Sequence, residues 1–404
     1  MAVNLPPLGT LSTVRGVRIG TACAGIKQTQ RDDLVVMALA SGTRVAGVFT
    51  QSAFKAAPVH VCQEHMAESP RAILINSGNA NAATGKAGID DALQCCRWVA
   101  ESLGVDARTV LPFSTGVIGQ RLPLPKFAEG IPIACRNLDR GWEYAARAIM
   151  TTDTGPKAVS RSVDVDGKAV TVTGIAKGAG MIRPDMATML AYVATDASVS
   201  QRCLDDLVRE AANASFNRIT VDGDTSTNDS FLLIATGAAG NSTIESSAQR
   251  GFAELRAVIV DVARDLAQRI IRDAEGATKF VTVTVEGGRT EAECLAVAYT
   301  VAESPLIKTA MFASDPNWGR FCMAIGRAGI DGLDTEGVAL FLDDVCVARG
   351  GMIAASYTEQ AGAKVMAQAE FTVRIDLGRG AARDTVWTCD FSYDYVRINA
   401  EYRT

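Results

Sequence analysis

The sequence predicts a mixed α/β protein in which helices are layered on central sheets. Three observations carry that expectation. Short β-branched or apolar runs recur between Gly, Ser and Asn residues, longer stretches show helical periodicity, and no internal repeat or low-complexity linker divides the 404 residues.

In chain order, residues 33–38, 45–49 and 72–76 read as strands. Residues 90–103 set apolar side chains at helical spacing against a charged face, residues 139–150 make a second helix, and 125–130 a short one. Residues 168–173 return to strand. Ser200 is the expected N-cap of a helix running to about residue 214. Residues 246–273 form a long amphipathic helix, with Val258, Val262, Leu266 and Ile270 at four-residue steps. Strands are expected at 279–285, 338–342, 370–377 and 385–391. Domain limits are soft, with a C-terminal domain expected over about 280–404.

Composition narrows the function. Hydrophobic residues make up 48%, charged residues 21%, and the formal net charge is −5. That balance gives no electrostatic reason for a nucleic-acid or anionic-membrane partner. The N-terminus lacks a secretory-signal pattern, and no run of 18 apolar residues is present. Ten scattered cysteines show no zinc-ligand spacing and are expected to be buried reduced thiols, so a cytoplasmic protein without a metal is expected. Asp222, Asp224 and Asp229 lack the twelve-residue calcium pattern and are expected to form a structural loop near the site. Histidine is scarce. A Ser–His–Asp or Cys–His mechanism would have to recruit His60 or His65, so a base other than histidine comes first.

The densest unusual stretch is residues 174–190, GIAKGAGMIRPDMATML. Gly174, Gly178 and Gly180 supply backbone freedom and Pro184 fixes a turn, which alone suggests a strand-to-helix loop. The stretch does not match the dinucleotide fingerprint, because Arg183 stands where the third glycine belongs. Nor is there a phosphate-cradling loop at 78–87, where six residues separate the glycines and Ala87 replaces Ser or Thr.

The run from Lys177 to Pro184, followed by Met186-Ala187-Thr188-Met189-Leu190, resembles the signature of the ornithine acetyltransferase family. Ala179, Arg183 and Asp185 depart from that family's usual Ser, His and Asn. Further blocks resemble the family in the same order: residues 76–85, 113–119, 150–154, 222–229 and 312–319. Together they cover nearly the whole chain. The fold this implies is the layered helix–sheet sandwich of self-processing N-terminal-nucleophile enzymes of the ornithine acetyltransferase type.

The resemblance also implies a mechanism. The precursor would cleave itself between Ala187 and Thr188, giving an α chain of residues 1–187 and a β chain of residues 188–404. Thr188 is then the nucleophile, and its new α-amine, with an ordinary pKa of about 7.7–8.0, the base. Thr115, through its side chain, and the Gly116 backbone N–H would form the oxyanion hole. Thr151, Lys177, Thr188, Glu275, Asn399 and Thr404 would bind substrate. The expected reaction moves the acetyl group of N-acetylornithine to glutamate without a cofactor. Acetyl-CoA stays open as a co-substrate, and an α2β2 heterotetramer is implied. Two rivals remain: a self-processing aminopeptidase or amidase of the same architecture, in which water takes the acyl group, and a binding protein that kept the fold without the activity.

Overall fold

The computed structural model describes residues 2–28, 30–183 and 189–401. In chain order the first half contributes β1 (Val17–Ala22), β2 (Leu34–Leu39), β3 (Arg44–Phe49), α1 (Ala57–His65), β4 (Ala72–Asn79), α2 (Gly85–Leu103) and β5 (Val110–Val117). Next come α3 (Leu124–Arg136), α4 (Trp142–Ala148), β6 (Lys157–Val165), β7 (Lys168–Lys177), β8 (Leu190–Thr195), α5 (Gln201–Asn213), β9 (Ser230–Ala235) and α6 (Phe252–Arg272). The remainder supplies β10 (Phe280–Gly288), α7 (Glu291–Ala302), α8 (Pro305–Ala313), α9 (Trp318–Gly326), β11 (Ala339–Leu342), β12 (Val345–Arg349) and β13 (Met352–Ile353). It ends with α10 (Glu359–Met366), β14 (Glu370–Asp376), β15 (Ala382–Cys389) and α11 (Tyr393–Ala400).

The described strands form three sheets, ordered β1-β2-β4-β5, β3-β9-β8-β7-β6 and β13-β12-β11-β14-β10-β15. The first two stack face to face, because their strands are apolar on both faces. Val35, Met37, Ile73, Ile75 and Phe113 point from the first sheet into a core shared with Ile175, Leu190, Tyr192 and Leu232 of the second. Phe113 meets Tyr192 edge-on across that seam, with ring centroids 5.3 Å apart. The alternate residues Leu34, Val36 and Leu74 face outward onto α2 and α3, and Ala191, Val193, Phe231 and Leu233 face α5 and α6. Period-two alternation therefore builds four layers, helix–sheet–sheet–helix. The third sheet carries its own core, in which Val281, Val283, Leu340, Val373 and Val386 pack on Val297, Val301 and Phe321 of α7 and α9.

Most expected elements are present with shifted ends. Ser200 caps α5 by accepting from the Cys203 N–H, and Val262, Leu266 and Ile270 of the expected stripe are buried while Val258 is only partly so. The long helix starts at Phe252 instead of 246, behind a left-handed Gly251 (φ 86°). Residues 174–190 do not lead from strand to helix. They connect β7 to β8, and Lys177 pairs with Leu190 in an antiparallel ladder. The physical reason is the sequence LAYVAT: six residues buried on both faces need strand partners on both sides, which β7 and β9 supply. The ten cysteines are free, as expected, and seven are buried, but Cys23 and Cys322 are exposed. No helix among the described residues is long and apolar enough to cross a membrane.

Candidate active site

At one end of the two-sheet sandwich the last residues of β4, β5 and β7 meet the first residues of β8 and β9. A cavity of about 320 Å³ opens there, and its lining includes Thr115, Gly116, Thr151, Lys177, Glu275 and Asn399. These six come from segments up to 284 residues apart (Thr115 to Asn399). Ala187, Thr188 and Thr404 lie outside the described residues, although Met189 and Leu190, which follow Thr188, line the same cavity. His60 and His65 sit on α1, where His65 Nδ1 is 2.7 Å from the Val110 carbonyl.

Thr115 and Gly116 lie near the end of strand β5. The parallel ladder with β4 is irregular opposite them, at Gly78–Asn79. Gly116 adopts φ 130°, and a Cβ there would overlap the Gly78 carbonyl carbon, so only glycine fits. The asparagine-rich block at 76–85 braces this strand end. Ser114 Oγ donates to Asn76 Oδ1 at 2.6 Å, Asn76 Nδ2 donates to the Asn79 carbonyl at 2.9 Å, and Asn79 Oδ1 accepts from the Asn81 N–H at 2.8 Å. Asn228 joins from the loop before β9, donating to the Ala80 and Ser114 carbonyls at 2.6 and 2.8 Å. Buried amides that are fully paired hold a backbone tightly.

Lys177 ends β7 and donates to Thr115 Oγ1 at 3.3 Å, which leaves the Thr115 hydroxyl proton free to face the cavity. Burial lowers the Lys177 ammonium below its ordinary value, while Asp153, Asp229 and Glu275 act to raise it. Glu275 follows α6. Its backbone N–H donates to the Ala179 carbonyl at 2.9 Å, and its Oε2 accepts from Asn399 Nδ2 at 2.9 Å. The cavity thus presents a cation at one wall and a carboxylate at another.

Three groups beside it carry no catalytic or substrate-binding role in the sequence-based expectations. Asp153 accepts from the Thr151 N–H at 2.8 Å and from the Gly178 N–H at 2.9 Å, so one carboxylate fixes the backbone of both Thr151 and the residue after Lys177. Lys157, fully buried, donates to Asp153 and to Asp273 at 2.6 Å each. Burial works against the Asp153 carboxylate, but Lys157 and Lys177 outweigh it and hold Asp153 well below the usual range. Asp229 also lines the cavity, and burial pushes its carboxyl well up. A sequence signal existed for Asp153, inside the block at 150–154, and for Asp229, at the end of the aspartate-rich block. Lys157 offered none, because a lysine opening a strand reads as a surface charge.

The remaining blocks brace the frame. Asp222 accepts from the Met181 and Ile182 N–H groups at 2.7 and 2.9 Å, holding the segment before residue 184. Asn317, in the 312–319 block, caps α9 by accepting from the Arg320 N–H and lies outside the cavity lining.

The chain as a whole resembles known proteins. The chain is 55% identical over 405 residues to the "Arginine biosynthesis bifunctional protein ArgJ" of Pseudomonas fluorescens (strain Pf0-1), and 54% identical over 405 residues to that of Pseudomonas syringae pv. tomato, covering 100% of each chain in both pairs. The crystal structure of the Arginine biosynthesis bifunctional protein ArgJ from Bacillus halodurans superposes with a TM-score of 0.50 at 35% identity, matching 52% of this chain and 97% of that one. With residues 18–404 also matching the ArgJ family as a whole, the chain belongs to the ArgJ family.

Proposed function

We propose that the chain cleaves itself between Ala187 and Thr188 and then carries the acetyl group of N-acetylornithine to glutamate through an acetyl-Thr188 intermediate. The observation that carries this reading is the single cavity lined by Thr115, Gly116, Thr151, Lys177, Glu275 and Asn399 next to Met189. Family membership at 55% identity over the full length supports the same role in arginine biosynthesis.

In the first event the Thr188 hydroxyl attacks the Ala187 carbonyl carbon, the acyl group moves from nitrogen to oxygen, and water hydrolyses the ester. Ala187 is left with a carboxylate and Thr188 with a free α-amine. That amine then takes the Thr188 hydroxyl proton as Oγ attacks the acetyl carbonyl. The Thr115 hydroxyl and the Gly116 N–H stabilise the oxyanion, and Lys177, bonded to Thr115 Oγ1, keeps that hydroxyl pointed as a donor. The intermediate collapses with proton return to the leaving amine, and ornithine departs. Glutamate's α-amine attacks the acetyl ester, and Thr188 leaves with its proton restored.

Lys177 suits the substrate α-carboxylate and Glu275 the side-chain ammonium of ornithine, with Asn399 fixing the Glu275 carboxylate. Thr151, Thr188 and Thr404 complete the proposed contacts. The mature protein is an α chain, 1–187, and a β chain, 188–404, assembled as α2β2. Cleavage would not release the halves, because β7 and β8 lie on opposite sides of the cut yet pair over six residues. The matched half-length of the Bacillus halodurans chain supports such a division. Within the β chain, the separate sheet and core beyond residue 280 support a C-terminal domain over about 280–404. No cofactor enters this chemistry, and acetyl-CoA is a second donor to be tested.

Denaturing intact mass spectrometry, with and without N-acetylornithine, tests the proposal. Two chains of 187 and 217 residues (404 − 187) with one acetyl group on the longer are expected. A single unmodified 404-residue chain would overturn the mechanism.

A further inference from the structure

The cavity continues into a wider cleft of about 800 Å³ that shares Gly116, Val117, Ile118, Thr151 and Thr152 with it. The charged side chains lining this second cleft, Lys27 and Arg31, are both cationic. Among the described residues neither is ion-paired. Lys27 Nζ donates to the Ala148 carbonyl at 3.1 Å, and Arg31 Nη2 donates to the Thr151 carbonyl at 3.2 Å. Arg31 is therefore bonded to the backbone of a residue that lines both spaces.

The loop that carries them is anchored. Buried Asp33 accepts from the backbone N–H groups of Ala24, Ile26 and Lys27 at 2.7, 2.6 and 3.1 Å. The Lys27 stem crosses Gly78 so closely that a Cβ there would stand 3.0 Å from Lys27 Cγ, and Gly78 pairs with Gly116 in the β4–β5 ladder. One layer of backbone separates the cationic wall from the oxyanion glycine.

This geometry answers a charge problem posed by the acetyl-transfer reading, on which the present inference rests. The first substrate ends its side chain in an ammonium, which Glu275 complements. The second ends in a carboxylate, which Glu275 would repel at short range in a partly desolvated site. An acceptor carboxylate needs a different wall, and the contiguous cleft offers two basic side chains without an ion-pair partner among the described residues. We propose that the Lys27–Arg31 cleft is the subsite for the side-chain carboxylate of the acyl acceptor, selecting a dicarboxylic amino acid in the second half of the cycle. Burial and the neighbouring Arg31 lower Lys27 to about 7, so its charge is costly when the cleft is empty and is restored by an incoming carboxylate.

The test compares glutamate with glutamine, its uncharged near-isostere, as acceptors for enzyme acetylated by N-acetylornithine. Wild-type protein is expected to prefer glutamate. Lys27→Met and Arg31→Gln should each lower the glutamate-to-glutamine ratio of kcat/KM by about tenfold or more, through the KM for glutamate, and Arg31→Lys should recover part of it. Retained transfer to glutamine shows that a variant is folded. An unchanged ratio in both variants, with acetyl-enzyme still formed, overturns the subsite alone. Failure of wild-type protein to form acetyl-enzyme overturns the acetyl-transfer reading and the subsite with it.

Discussion

At the open end of the sandwich, Asp153, Lys157, Asp229 and Asp273 are buried around a cavity. Beside the C-terminal sheet the buried Lys308 of α8 is instead closed off by Thr388 Oγ1 at 2.9 Å, the Cys389 carbonyl and the Phe391 ring. Both regions satisfy their buried charges, since unpaired ones would be costly. The difference lies in what the pairing orients. Lys308 ties one strand end to one helix. Asp153 instead binds the backbone N–H of Thr151, which lines the cavity, and of Gly178, which follows the cavity-lining Lys177, so the same kind of pair positions groups that face substrate. Buried charge alone does not mark a site; buried charge whose partners line a cavity does.

The sharpest way to break that distinction is to remove Lys157. Lys157→Met leaves Asp153 and Asp273 facing each other without the cation that bridges them, a loss of about 3–5 kcal/mol that should lower Tm on the order of 5 °C. It should also raise KM for N-acetylornithine, because Asp153 no longer holds Thr151. Leu340→Ala, in the core of the C-terminal sheet, is the matched control: it should cost about 2–5 kcal/mol and leave KM alone. If Lys157→Met lowers Tm with no change in KM, the two buried cations are equivalent and the comparison fails.

Thr115→Ala sharpens the same contrast from the other side. It removes a hydroxyl that lines the cavity yet supports little of the core, so turnover should fall about 10²–10³-fold with Tm nearly unchanged. Near-normal acetyl transfer in that variant would take Thr115 out of the oxyanion hole. Deleting residues 402–404 is expected to have a smaller effect, raising KM for N-acetylornithine by about tenfold through loss of one charge-assisted contact at Thr404. Unchanged kinetics would remove Thr404 from the substrate set.

The sequence made parts of this arrangement legible for different reasons. Strands such as β2 and β10 announce themselves through β-branched composition, and α5 through its Ser200 cap, because those signals are local. The strand character of residues 190–195 was hidden behind the glycine-rich stretch, since it depends on partners 13 residues before (Leu190 with Lys177) and 40 after (Leu190 with Ser230). Six site residues came from family resemblance, not from pattern, because no spacing rule links Thr115 to Glu275. Lys27 and Arg31 were silent for a similar reason: a lysine and an arginine in a polar loop read as solvated charges until the fold sets them beside Thr151 and Gly78.

Titration gives the finest probe of that cationic wall. Burial first, and Arg31 second, lower Lys27 to about 7, while Asp33, Asp153 and Lys177 also act on it. Below that pH Lys27 is charged and attracts a carboxylate; above it the ammonium is lost and Arg31 acts alone. A bound carboxylate stabilises the cation, so the transition seen in acceptor affinity falls somewhat above 7. The glutamate-to-glutamine ratio of kcat/KM should therefore be highest on the acid side and decline severalfold as pH rises from about 6 to about 8.5. Titration of the Thr188 amine and of the acceptor α-amine affects both acceptors alike and cancels in the ratio. In Lys27→Met the ratio should be low and flat. A flat profile in wild-type protein would mean that Lys27 does not face the acceptor carboxylate, and would leave Arg31 as the charged group on which acceptor choice depends.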